Sequence, residues 1–361
     1  MVMDCKIKIK TKNMTQLAEY RSYLLKNPKL TYLFIELTDH CNLGCLHCGS
    51  NCNQLKKHYI DTKLIINTLN QIADDFAVQD IMICLTGGEP LLHPDFYLIV
   101  EEINKLSFKW GITTNGTLID EETAYKLKIN KLESITISLD GLEEEHEWLR
   151  NNKGCFKKTI AAIHRLNAID IPVQVTTVIH KRNIHELDLM YELMCSLKIC
   201  SWRVINIEPI GRALLNNELL LSHSEFTYLL DYIRNKRYSV NTPMDVCFGC
   251  SHYLSYEYEH EVRDNYFICG AGIYVGSILC NGDIYSCLDI KRRKELVQGN
   301  IKKDRFSDVW KNRFKEFRAD RTNLCEKCQK CNHKDFCNAD SMHTWDFDNN
   351  KPMFCFLRKV E

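Results

Sequence analysis

Three cysteines within one short stretch constrain this chain more than any other feature. They lie in Thr38-Asp39-His40-Cys41-Asn42-Leu43-Gly44-Cys45-Leu46-His47-Cys48, a C-x3-C-x2-C spacing. Thiolates this close converge on one metal centre, because iron–sulfur clusters are ligated by cysteine at short intervals. Three of them satisfy three irons of a 4Fe–4S cluster, and the fourth iron, left without a protein ligand, becomes a binding site. A structural zinc site instead closes with four ligands, and Cys52 is near enough in sequence to be the fourth. The loop by itself leaves both readings open.

Size and charge narrow the setting. With 361 residues the chain exceeds one typical domain, and 45% hydrophobic residues are enough for a real core. Lys+Arg and Asp+Glu both number 47, so composition gives no support to a nucleic-acid partner. The run Lys291-Arg292-Arg293-Lys294 is short and flanked by acids, and reads as a solvated loop. No apolar run reaches the roughly 18 residues of a membrane span. Lys6, Lys8, Lys10 and Lys12 interrupt the N-terminus where a signal peptide would carry its apolar core. The expected location is the reducing cytoplasm, where 19 cysteines argue for metal binding over disulfides.

From residue 31 the sequence alternates short β-rich runs with amphipathic helical stretches. The runs Tyr32–Leu37, Ile81–Leu85, Trp110–Thr113, Ile135–Leu139, Val173–Ile179 and Arg203–Ile207 read as strands. Helices are expected over 61–72, where Ile65, Leu69 and Ile72 recur at helical spacing, and over 95–106, 121–129, 156–168, 184–197 and 223–236. Ser222 and Glu225 open the last of these with a capping-box spacing. Six strand–helix units joined by right-handed crossovers give an α/β fold, an open, partial (β/α)6 barrel. Chemistry in such barrels sits at the C-terminal ends of strands, and the cysteine loop follows the first strand directly. Beyond about residue 240 the alternation stops, and 10 of the 19 cysteines fall between Cys247 and Cys355. One amphipathic helix is expected there, with Phe306, Val309, Trp310, Phe314 and Phe317 on one face. The expected organisation is an N-terminal segment 1–30, the partial barrel 31–238 and a small cysteine-rich domain 239–361, ordered by metal more than by core.

Further motifs close successive strands. Leu85-Thr86-Gly87-Gly88-Glu89-Pro90 follows the second, and Thr113-Thr114-Asn115-Gly116-Thr117 the third. Ser138-Leu139-Asp140-Gly141 ends the fourth, Val178-Ile179 the fifth and Glu208-Pro209-Ile210-Gly211-Arg212 the sixth. Paired glycines let backbone approach a ligand closely. Together with the cysteine loop, these motifs resemble the radical SAM superfamily. That resemblance implies that Cys41, Cys45 and Cys48 hold a 4Fe–4S cluster whose open iron binds S-adenosylmethionine, which is then cleaved reductively to a 5′-deoxyadenosyl radical. It implies that Gly87, Gly88, Glu89 and Pro90 bind the methionine part and that His47 lies near the adenine. Asn115, Ser138 and Asp140 are the further expected contacts.

In the tail, Cys269 is followed by Gly282 and Cys287, then by C-x2-C-x5-C at Cys328, Cys331 and Cys337, and finally by Cys355. This arrangement resembles the SPASM extension of radical SAM enzymes that act on peptides and proteins. The resemblance implies two auxiliary 4Fe–4S clusters, an outer one on Cys328, Cys331, Cys337 and Cys355, and an inner one using Cys269 and Cys287. The chain departs from the pattern at Ser341, where the family carries a cysteine. Cys325, Cys250 and Cys247 are the candidate substitutes, zinc knuckles the alternative to clusters, and Cys280 is open between packing and ligation. Cys5, Cys84, Cys155, Cys195 and Cys200 read as buried small hydrophobes.

The expected activity is that of a radical SAM oxidoreductase acting on a ribosomal peptide, a maturase forming a thioether or carbon–carbon crosslink. The alternatives are an anaerobic sulfatase maturase, whose motif Gly49-Ser50 does not match, and a quinone- or haem-cofactor biosynthetic enzyme. A non-enzymatic iron–sulfur or zinc scaffold would have no need of Gly87–Pro90. The resemblance also implies an electron donor such as flavodoxin or ferredoxin. Forty residues before Cys41 are few for a folded peptide-recognition domain, so leader binding is expected from a separate protein or from the barrel. The alternating Lys6–Lys10 segment reads as β-like, able to pair with an extended peptide.

Overall fold

Period-two alternation in the strands sorts their side chains into two chemically different faces. The computed structural model describes residues 2–239, 242–249 and 252–358, with side chains from residue 10 onward. All six expected strands form: β1 (Tyr32–Glu36), β2 (Met82–Thr86), β3 (Lys109–Thr114), β4 (Ser134–Ser138), β5 (Val173–Ile179) and β6 (Ser201–Asn206). Leu33, Ile35, Ile83, Leu85, Ile135, Ile137, Val173, Val175, Trp202 and Val204 are buried beneath the helices. One register row, Ile35–Leu85–Ile112–Ile135–Val173, runs through this layer. The opposite face carries Thr86, Ser138, Thr176 and Arg203, and these line a cavity. The apolar face supplies burial on the order of 25 cal/mol per Å², while the polar face is free to hold ligands.

The crossover helices follow the expected order: α2 (Thr62–Asp75), α3 (Phe96–Lys105), α4 (Glu121–Ile129), α6 (Cys155–Ala168), α7 (Leu187–Ser196) and α8 (His223–Arg237). Asp61 caps α2 by accepting from Leu64 N at 2.7 Å, and Ser222 with Glu225 forms the capping box of α8. An additional helix, α5 (Glu143–Arg150), lies between β4 and α6. Its three glutamates in the first turn and Arg150 in the last complement the helix dipole.

The sheet extends past the barrel on both sides. Its order is β10-β9-β8-β1-β2-β3-β4-β5-β6-β7, with β7 (Asp245–Phe248) parallel to β6 and β8 (Val275–Ile278) parallel to β1. The antiparallel strands β9 (Asp283–Tyr285) and β10 (Gly299–Asn300) finish one edge. The barrel therefore stays open, and the region after residue 239 contributes to both of its edges while also carrying the cysteine field. No described helix is long and apolar enough to cross a membrane.

Four expectations are corrected. The N-terminal segment is a helix, α1 (Val2–Lys26), so Lys6–Lys10 offers no strand edge. Tertiary packing overrides the local alternation: Met14 and Leu24 are buried, and Arg21 donates to the carbonyls of Asp335 and Phe336 in the tail. The helix at 306 is short. After α9 (Ser255–Tyr258) comes α10 (Phe306–Asn312), and Phe314 takes a left-handed φ of 64° and ends it, although all five expected apolar residues are buried. Cys200 is exposed, and Cys84 and Cys195 are half-buried; only Cys155 is buried as expected, and the Cys5 side chain lies outside the described residues.

The run at 291–294 is more than a solvated loop. Arg292 donates to both oxygens of Glu36, at 2.6 and 3.2 Å, and Glu36 is fully buried at the end of β1. Removing one partner of a buried ion pair strands the other charge. Arg292→Ala is expected to cost about 3 kcal/mol, the low end of the range because the arginine is partly exposed. The double variant Glu36→Gln/Arg292→Met should recover most of that loss. Thermal denaturation of the two variants against wild type checks both.

Candidate active site and cluster ligands

The loop carrying Cys41, Cys45 and Cys48 has almost no regular structure, so its neighbours must fix its backbone. Gly88 N donates to Thr38 O at 2.7 Å and Glu89 N to His40 O at 2.9 Å. This contact needs glycine. A Cβ at Gly88 would stand 2.1 Å from His40 O, and one at Gly87, whose φ is +145°, 2.4 Å from Thr38 O. On the other side Arg212 N donates to Cys48 O (3.0 Å), Arg212 Nε to Cys45 O (2.7 Å) and Nη1 to Cys52 O (2.8 Å). Leu46 N donates to Leu149 O at 2.8 Å, which ties the loop to α5.

The three sulfurs line one cavity of about 320 Å³ at the C-terminal ends of the strands. Thr86, Gly87, Gly88, Asn115, Ser138, Asp140, Thr176, Val178 and Arg203 share its wall, as does His47. Each of two sulfurs has donors aimed at it. Leu43 N lies 3.4 Å and Asn115 Nδ2 4.0 Å from Cys41 Sγ, while Arg150 Nη1 lies 3.6 Å from Cys45 Sγ. Burial pushes the Cys41 thiol up to about 12, and burial likewise raises Cys45 against the lowering effect of Arg150. Their thiolates are therefore stabilised by a bound cation, and metal uptake releases protons.

These residues fit an iron–sulfur cluster better than a single ion. Among the described residues, one trio of His, Cys, Asp or Glu side chains brings its donor atoms all within 4.8 Å of one another, and it lies in the tail, not in this loop. A tetrahedral ion would need donors about 3.3–3.8 Å apart. Cys52, the candidate fourth zinc ligand, is buried; its thiol is hydrogen-bonded to Cys48, which lowers the Cys48 pKa.

Other expected residues take varied places. His47 presents a buried Nδ1 with no protein partner, and burial lowers its pKa to about 3, so the ring is neutral. Asp140 is fully buried, 2.5 Å from Arg150, and accepts from Val178 N at 3.0 Å. Burial works to raise its carboxyl, but the Arg150 guanidinium holds it below the ordinary range. Glu89 and Pro90 do not line the cavity. Glu89 accepts from Thr114 Oγ1 (2.8 Å) and Asn115 N (2.9 Å), so it braces β3 against the glycine turn. Burial raises its pKa to about 7. Sequence reasoning missed Arg150. The signal was there in His146, Leu149 and Arg150 at i, i+3, i+4, all buried on one face of α5.

In the tail, Cys328, Cys331, Cys337 and Cys355 surround a second, small hollow of about 40 Å³ with Phe356 and Leu357. Cys325 is hydrogen-bonded to Cys328 and does not line that hollow. Cys269 and Cys287 both approach the turn at 341–344: Met342 N donates to Cys269 Sγ at 3.5 Å, and Cys287 Sγ lies 3.6 Å from His343 Nε2. Ser341 is buried there and accepts from His343 N at 3.1 Å. Of the other tail cysteines, two have different neighbours. Cys247 faces Asp245, Arg203 and Arg237, Cys280 lies beside Glu36, and Cys250 lies outside the described residues.

Comparison with known proteins agrees with this geometry. Residues 35–194 match the radical SAM superfamily and residues 269–332 match SPASM, an iron–sulfur cluster-binding domain. The AdoMet-dependent heme synthase of Methanosarcina barkeri is 26% identical over 320 residues, covering 84% of this chain and 88% of that protein. The mycofactocin maturase MftC of Mycobacterium tuberculosis is 28% identical over 312 residues, 85% of this chain and 77% of that one. Streptococcus suis SuiB bound to S-adenosylmethionine shares the fold with a TM-score of 0.71 at 20% identity, over 86% of this chain and 73% of that one; SuiB is also known bound to its precursor peptide SuiA. The chain belongs to the radical SAM superfamily and carries a SPASM domain. It is an enzyme whose cofactors are 4Fe–4S clusters and S-adenosylmethionine.

Gly88→Ala tests how the loop is held. The added methyl must displace the backbone at His40, so iron should fall by about four per chain as one cluster is lost. The tail should keep its share, as read by iron and acid-labile sulfide analysis.

Proposed function

We propose that this enzyme is a peptide maturase. It takes a hydrogen from a residue of a ribosomally made peptide and joins that residue to a neighbour through a thioether or carbon–carbon bond. When bound and reduced, the cluster on Cys41, Cys45 and Cys48 supplies the electron that cleaves S-adenosylmethionine. The size of the cavity carries the reading. At about 320 Å³ it is at the low end for a pocket holding one small molecule, and the cluster and S-adenosylmethionine together would fill it. A second substrate must reach the reacting centre through the mouth. One side chain of an extended peptide can do so, whereas a rigid macrocycle would have to lie across the rim. The likeness to MftC, named a maturase, supports the same reading.

The chain's own residues divide the remaining work. Asn115, Leu43 N and Arg150 donate toward the cluster sulfurs, and Arg212 braces the loop from behind. Thr86, Gly87 and Gly88 present backbone at the cavity edge, where the amino group of the methionine part would bind. The Ser138 and Thr176 hydroxyls line the adjoining wall for its carboxylate and ribose. Neutral His47 lines the part of the wall where the nucleoside would lie. Val178, Ile205 and Ile207 form the apolar side that keeps water out. The reading calls for an external electron donor such as a flavodoxin or ferredoxin.

A second reading, action on an iron tetrapyrrole, is favoured by the heme synthase relative, which matches over a similar share of the chain. The experiment has an arm for each. Reduced enzyme is incubated with S-adenosylmethionine and either a genomically adjacent precursor peptide or an iron-porphyrin precursor. Peptide mass should fall by about 2 Da per crosslink, with 5′-deoxyadenosine formed alongside. Replacing Cys41, Cys45 and Cys48 by alanine should abolish that product. Turnover with the porphyrin alone would reject the peptide reading.

A further inference from the structure

The turn that carries Ser341 lacks the family's cysteine but holds other metal donors. Cys287 Sγ, one Asp289 carboxylate oxygen and a His343 ring nitrogen all lie within 4.8 Å of one another. Cys287 Sγ and His343 Nε2 are 3.6 Å apart. Ligands of a single tetrahedral ion, bound at about 2.0–2.3 Å, stand about 3.3–3.8 Å from one another. Ligands that bind different irons of one cluster stand farther apart. The Cys287–His343 spacing thus suits one ion, and among the described residues only Cys269 and Cys287 approach this turn, two thiolates where a four-thiolate cluster needs four.

The surroundings are built for such an ion. His343 Nδ1 faces Glu208 Oε2 at 3.9 Å, on the side of the ring away from Cys287. At that distance the carboxylate acts on the ring through charge, without a hydrogen bond, and a negative charge behind a ligating histidine raises its basicity. Glu208 is in turn held by His252, whose Nε2 lies 3.4 Å away and whose Nδ1 is 2.8 Å from Asp340. His343 and Cys287 are buried, while Asp289 is exposed toward the cavity. Asp289 and His343 line the same cavity as Cys41, Cys45 and Cys48.

We propose that Cys287, Asp289 and His343 bind a single divalent ion of zinc's class in place of the inner auxiliary cluster. Three protein ligands leave a fourth position, as catalytic zinc sites do. That position opens onto the cavity and takes a thiolate, a carboxylate or water from the substrate side. A mixed sulfur, nitrogen and oxygen set suits this borderline-soft class of ion. The assignment does not depend on whether the substrate is a peptide.

The test uses the full chain, reconstituted anaerobically with iron and sulfide, desalted, and titrated with Co2+ alone. One equivalent should bind with a thiolate-to-cobalt charge-transfer band, and iron should remain near eight per chain. X-ray absorption at the cobalt edge should find one sulfur at about 2.3 Å and nitrogen or oxygen at about 2.0 Å. Zn2+ should displace the cobalt and bleach the band. Asp289→Asn should weaken binding at least tenfold and His343→Ala should abolish it. His343→Cys should bind with two sulfurs, which keeps the test valid if the alanine variant does not fold. About twelve irons in wild type, cobalt without a sulfur neighbour, or uptake unchanged in His343→Ala would each overturn the assignment.

Discussion

Backbone contact between the Gly87–Gly88 turn and the cysteine loop is the constraint on which the site depends. The loop has no sheet or helix to set its shape, and three thiols must be aimed at one point before any metal arrives. Two short hydrogen bonds, from Gly88 and Glu89 to the carbonyls of Thr38 and His40, fix one flank. They form only because no Cβ intervenes. Gly87 and Gly88 also face the cavity, so a stretch first read as ligand-binding acts as a structural clamp as well. Arg212 closes the other flank with three bonds to loop carbonyls, and Gly211 makes this possible, since a Cβ there would meet Cys48 O at 2.3 Å. Both clamps come from strand ends, so the rigidity of the sheet passes directly to the sulfurs.

Electrostatics then sets what this frame can hold. Asp140 and Arg150 form a fully enclosed pair, and Arg150 extends beyond it to Cys45. A buried ion pair is weak evidence for stability, because desolvation offsets most of its attraction. Here it does something else: it delivers a cation to a buried ligand sulfur at the cavity wall. His47 and His146 lie in the same enclosure, and burial holds both below their ordinary pKa, so neither competes with iron as a fixed positive charge. The pocket is thereby arranged around negative sulfur, with positive charge supplied by Arg150, Arg203 and Arg212 and by the metal.

Much of this could be read in the sequence, for reasons that are local. Strands β1 to β6 and their helices announce themselves by period, and Ser222 with Glu225 marks the start of α8 chemically. The ligand cysteines are legible because cluster chemistry demands short spacing. What escaped depends on contacts far apart in the chain. Lys6–Lys10 alternates like a strand, yet the segment is helical because Met14, Leu24 and Arg21 dock on the tail. Strands β7 and β8 are four residues long and exist through their register with β6 and β1. The brace made by Glu89 is invisible without Thr114 and Asn115 beside it. Ser341 read as a plain loss, because nothing in sequence brings Asp289 and His343 together beside Cys287.

The tail is no appended module, and this explains how two distant cysteine fields can act in one enzyme. Strand β8 pairs with β1, the strand that launches the cysteine loop, and Cys280 N at its end donates to Glu36 at 3.2 Å. Arg292 completes the coordination of that carboxylate, and Cys52 of the loop lies 4.0 Å from it. Glu36 thus joins the loop, the first strand and the tail at one buried point. Without the tail, a charge would stay in the core with no cation, and β1 would become an open sheet edge prone to unwanted pairing. Since β9 leads directly into Cys287 and Asp289, the same sheet also positions the tail's donors at the cavity. Strand register, and not a linker, therefore sets where the tail's donors stand relative to the cysteine loop.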